Sequence, residues 1–144
     1  MKPHIKLLVL IAVFLSGIIL LGANTENAGG CTPPPELTVG KPSDGQNVPN
    51  APVTVEFSAK QGTWDWTAVD PTSVQVQLLD NLNNLIDVTK FIATNCDLNK
   101  KNCSFAGDVS IPDATYTLTV KVCNQAAACS TKNVTFVPLQ SKRR

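Results

Sequence analysis

Histidine is nearly missing from this chain. Of 144 residues only His4 is one, and it lies ahead of the body of the protein. A Ser–His or Cys–His nucleophilic pair therefore cannot form in the body. Zinc, which takes several His or Cys ligands at close spacing, finds no such set either. Arginine does not occur before Arg143 and Arg144, and 12 Lys and Arg stand against 11 Asp and Glu, a formal net charge of +1. With no basic stripe, the electrostatic footprint of nucleic-acid binding is missing. The acids are dispersed, mostly beside Pro, Asn or Gly, so no two carboxylates are set to converge in a cleft. There is no C-x₂-C unit, no internal repeat, and no helical apolar repeat after residue 31. Asp80, Asn81, Asn83 and Asn84 lie close together but lack the Gly-and-Glu pattern of a calcium loop, and read as a solvated turn. These absences point away from an enzyme and from a cofactor or metal protein.

What the chain does have begins at its N-terminus. Lys2 and Lys6 precede an almost wholly apolar run at 7–21, followed by Asn24, Thr25, Glu26 and the small residues Ala28-Gly29-Gly30-Cys31. A basic start, an apolar stretch and small residues are the marks of an export signal. Residues 1–30 are thus a signal peptide or a membrane anchor, expected to be helical, and the rest works outside the cytoplasm. Three fates remain open. The segment is cut after a small residue such as Ala23, or it stays as an anchor, since 7–23 just reaches the lower length that spans a bilayer, about 17 residues. In the third, Cys31 is lipidated. Gly29-Gly30-Cys31 before a proline run resembles the lipobox of prokaryotic lipoproteins, although Ala28 stands where a larger aliphatic is usual. The membrane is the expected first partner.

The body is rich in Thr, Val, Asn and Pro, a mixture that suits strands and turns. Residues 31–35 form a proline-rich tether. Short strands are expected at 36–39, 52–59, 73–79, 85–92, 104–111, 115–123 and 129–137. In the clearest ones Val53, Val55 and Phe57 share a face, as do Val74, Val76 and Leu78, and Tyr116, Leu118, Val120 and Val122. Pro42-Ser43-Asp44-Gly45 is a turn. The 115–123 and 129–137 segments make a hairpin with a five-residue loop. About seven strands at regular spacing predict an all-β antiparallel sandwich over 36–138, with 139–144 a solvated basic tail.

Pro42-Ser43-Asp44-Gly45, Val53-Thr54-Val55-Glu56-Phe57 and the run from Pro112 to Val120 resemble prokaryotic extracellular Ig-like domains. The resemblance implies an Ig-like sandwich whose role is adhesion, binding or spacing. Ala114 departs from the glycine frequent at that place, and Val55 and Leu118 fill the positions of the buried inter-sheet disulfide of antibody domains. Tyr116 stands where the tyrosine-corner residue of such sandwiches lies, so its hydroxyl is expected to bond nearby backbone.

Five cysteines in an exported chain point to disulfides with one left over. Cys123 and Cys129 flank the hairpin loop, and alternation puts both on the outer face, so they pair. Cys96 and Cys103 flank a second polar loop and pair likewise. Cys31 is the odd one, lipidated, removed with the leader, or paired between chains. Trp64 and Trp66 flank Asp65 in a loop. In an extended segment both rings point the same way, forming a stacking platform for a sugar or a partner, or capping an open end of the sandwich. Asn102-Cys103-Ser104 and Asn133-Val134-Thr135 are glycosylation sequons. The expected role is a non-catalytic surface module with a protein or glycan partner. A filament subunit assembled by strand addition, or a sugar-binding module using the two tryptophans, are the alternatives.

Overall fold

The structure, a computed structural model, describes residues 32–49, 52–62 and 67–139. Its strands among these residues are β1 (Glu36–Lys41), β2 (Gln46–Pro49), β3 (Val53–Lys60), β4 (Val69–Asp80), β5 (Leu85–Asp87), β6 (Ala93–Cys96), β7 (Asn102–Val109), β8 (Tyr116–Asn124) and β9 (Cys129–Leu139). They form two sheets, ordered β1-β3-β7-β6 and β2-β9-β8-β4-β5. The chain is thus an all-β sandwich, with the consecutive strands β1 and β2 in different sheets. The expected N-terminal helix and the tail after 139 lie outside the described residues.

Alternation builds the core. In β3 and β8 every second side chain is buried, from Val53 to Ala59 and from Tyr116 to Val122. Phe57 stacks on Phe105 across β3 and β7 with ring centroids 4.7 Å apart, and Tyr116 on Phe136 across β8 and β9 at 5.9 Å. Val55, Val76, Leu118, Val120 and Phe136 have no exposed surface. Val55 and Leu118 therefore occupy the inter-sheet centre without a disulfide, as read from the sequence. The Tyr116 hydroxyl donates to the Pro112 carbonyl at 3.0 Å, the corner bond expected of it.

The strand count corrects the sequence reading, nine against about seven. The expected 85–92 strand is two elements. β5 ends at Asp87, a single 3-10 turn (Thr89–Phe91) crosses between the sheets, and β6 joins the other one. The crossing is seated on Gly107, whose Cβ, if present, would lie 2.2 Å from the Phe91 carbonyl oxygen. β2 was not foreseen, because Gln-Asn-Val-Pro buries only Val48. It pairs parallel with β9, from Gln46 opposite Phe136 to Pro49 opposite Leu139. The turn before it is fastened to β9: Gly45, at φ 71°, donates its N–H to the Thr135 carbonyl at 2.7 Å, and the Thr135 N–H donates to Asp44 Oδ1 at 2.9 Å. β4 begins at Val69, not at Ser73. Pro71 sits in a bulge between Asp70 and Gln75, where the ladder needs no N–H from it.

Candidate functional site

The chemistry-bearing residues collect at the end of the sandwich where the described chain begins. Here run the 32–35 segment, residues 61–62 and 67–68, and the connections 97–101 and 125–128. Backbone bonds lace them together. Gln61 donates to Lys101, Val69 to Lys100 and Gln125 to Ala68, at 2.7–2.9 Å.

Both cysteine pairs stand at this end as disulfides, Cys96–Cys103 and Cys123–Cys129. Each joins directly opposed residues of neighbouring strands. Their surroundings differ. Cys103 is 1% exposed and belongs to the core beside Phe105. Cys129 is exposed on the outer face as expected, but Cys123 is only 9% exposed. Its cover comes from the start of β4: Cys123 lies opposite Asp70 and donates its N–H to Ser73 Oγ at 2.8 Å.

Asn124, 3% exposed, organises the hairpin turn. Its Oδ1 accepts from the N–H groups of Ala126 and Ala128, each at 3.0 Å, and its Nδ2 donates to the Pro33 carbonyl at 3.0 Å. The Ser130 hydroxyl donates to the Pro35 carbonyl. The sequence offered no sign of these contacts, because an Asn in a hairpin turn reads as turn chemistry alone.

Of the other candidates, Cys31, Trp64 and Trp66 lie outside the described residues. Asn102 is exposed and donates from Nδ2 to Asp97 Oδ2 at 3.1 Å. Asn133 is exposed on the outer face of β9, opposite Thr119. At the Asp80 turn the carboxylate accepts from the N–H groups of Leu82 and Asn84 and from Asn84 Nδ2, each at 2.8 Å, with Asn83 at φ 64°. These bonds, the side-chain amide first, hold the Asp80 carboxyl below its usual range. Asp70 is lowered by Thr72, hydroxyl first and then N–H, and Asp87 by Thr89, N–H first and then hydroxyl. Each is thus a turn carboxylate satisfied by its own loop. Among the described residues no three His, Cys, Asp or Glu side chains gather as a metal set.

The opposite end carries apolar surface. Leu79, Leu82 and Leu85 are 37%, 74% and 61% exposed at the β4–β5 hairpin, and Val137 and Leu139 are exposed at the end of β9 in the same sheet. The hollows on the other sheet are shallow and open. One of them is lined by Ser58, Lys60, Asn95, Asp97, Asn102 and Ser104.

No protein-family model and no curated protein matches the chain. Among solved structures it is similar to the crystal structure of CopC from Methylosinus trichosporium OB3b, at a TM-score of 0.53 and 13% identity. The match covers 76% of this chain and 98% of that one. At that identity the likeness is one of fold, a β-sandwich.

Proposed function

We propose that this chain is an exported, surface-held, non-catalytic Ig-like module that binds a protein partner outside the cytoplasm. The observation that carries the reading is the apolar hairpin Leu79–Leu82–Leu85, where three exposed leucines gather, whereas Phe91 and Leu98 are exposed singly elsewhere. Exposed leucines gathered at one place mark interaction surfaces on soluble domains. Two disulfides fit an oxidising compartment. The leader supports attachment at the N-terminus, through lipid on Cys31 or through the apolar segment itself. A sugar platform on Trp64 and Trp66 is the second binding reading. A filament subunit built by strand donation is disfavoured, because β1 pairs with β3 of its own chain from Glu36 to Lys41.

The test is an adhesion assay on cells that display the full chain, with Leu82→Ser/Leu85→Ser beside the parent. Adhesion lost while the melting temperature holds supports the module. Adhesion equal to the parent in that variant and lost in Trp64→Ala/Trp66→Ala moves the site to the tryptophans. Adhesion unaffected by either, with light scattering showing a monomer, leaves a spacer.

A further inference from the structure

The 32–35 segment is strapped to the body. Pro35 is buried, and the carbonyls of Pro33 and Pro35 accept bonds from Asn124 Nδ2 and Ser130 Oγ. Those two donors are the chain neighbours of Cys123 and Cys129. The residues that hold the strap therefore sit at the two feet of one disulfide. Asn124 does double duty, since its Oδ1 also closes the turn inside the bridge. Cys129 is exposed, so its sulfur is open to attack.

We propose that the Cys123–Cys129 bridge is a redox latch for this strap. Closed, it fixes the spacing of Asn124 and Ser130 that receives the two proline carbonyls. Opened, it lets the hairpin end fray and the strap come free. A thiolate of a dithiol reductant attacks Cys129 Sγ, the Sγ–Sγ bond breaks, and Cys123 leaves as a thiolate that takes up a proton. The reductant's second thiolate then displaces Cys129, so two electrons pass to the protein and the reductant ends as its own disulfide. The inference concerns the body alone and stands whatever the leader does.

Coupling is reciprocal: a bridge that stabilises the strap is stabilised by it to the same degree. The full chain in detergent micelles is equilibrated with oxidised and reduced dithiothreitol, its thiols are trapped by alkylation, and each bridge is read by mass spectrometry. Ser130→Ala removes one strap bond. Replacing Pro33, Pro34 and Pro35 together by Gly loosens the strap without altering the hairpin. Both changes are expected to make Cys123–Cys129 easier to reduce, about fivefold in the equilibrium constant, and to leave Cys96–Cys103 unchanged. An unchanged constant for Cys123–Cys129 in both variants overturns the coupling, and so does an equal shift at the two bridges. Hydrogen exchange gives a second reading. Thr32 and Glu36 should exchange faster in Cys123→Ser/Cys129→Ser while 117–122 keeps its protection, and identical exchange in the strap contradicts the latch.

Discussion

Single residues decide how tightly the two sheets close. Leu118 has no exposed surface at the centre of β8, whereas Thr117 and Thr119 on the opposite face are half-exposed. Leu118→Ala should cost about 2–5 kcal/mol, as buried leucine truncations do. Thr117→Ala and Thr119→Ala should cost far less. Equal losses in denaturant melts contradict the one-face-buried assignment. Gly107→Ala is expected to destabilise by about 1–3 kcal/mol, because the new methyl meets the Phe91 backbone and not a yielding side chain. A silent Gly107→Ala means that the crossing is not seated there. Titration follows from the turn aspartates. Asp70, Asp80 and Asp87 are held below the usual carboxylate range by N–H and hydroxyl or amide donors. Their contribution is present above the unfolded value, about 3.9, and is lost as pH falls through the lower folded values. The melting temperature should therefore stay level from neutral pH and drop below about pH 4. Asp80→Asn should flatten that drop, and an unaltered acid limb tells against the Asp80 bonds.

At the scale of elements, legibility tracked the strength of alternation. β3 and β8 announce themselves, since Val53, Val55 and Phe57, and Tyr116, Leu118 and Val120, keep strict period two. β2 was invisible because it buries one side chain and depends on a parallel pairing with β9, a contact distant in sequence. The segment 85–92 read as one strand because Leu85, Ile86, Val88, Phe91 and Ile92 are apolar, yet only Leu85–Asp87 of it is strand, and β6 begins beyond it at Ala93. The close approach that seats the crossover is at Gly107, on β7, distant in sequence. Of the candidate site, the cysteine partners could be read from loop spacing, but their depth could not. Cys103 joins Phe105 in the core, while Cys129 is exposed. Hence Cys96→Ser/Cys103→Ser should destabilise more than Cys123→Ser/Cys129→Ser, for which loop closure alone gives about 2–3 kcal/mol. The first pair adds hydroxyls at the edge of an aromatic core. Thermal melts that rank the two double variants the other way contradict the placement.

In the whole molecule, the described residues divide their features between the two ends of the sandwich. Strap, disulfides and laced loops stand at the end where the described chain begins, with Leu98 exposed among them, and the cluster Leu79, Leu82 and Leu85 stands at the other. That arrangement supports the proposed role, in which a partner is met at the Leu79–Leu82–Leu85 hairpin. The central claim is an oxidised module attached through its N-terminus, and it turns on the state of the leader and of both bridges. Intact-mass spectrometry of the chain purified from the membrane fraction, with non-reducing peptide mapping, reads all of these together. The account predicts a mature N-terminus at Cys31 carrying lipid, with Cys96 linked to Cys103 and Cys123 to Cys129. Residues 24–30 still attached rule out lipidation at Cys31. A reduced Cys96–Cys103 pair, or Cys96 linked to Cys123 or Cys129, contradicts the account as a whole.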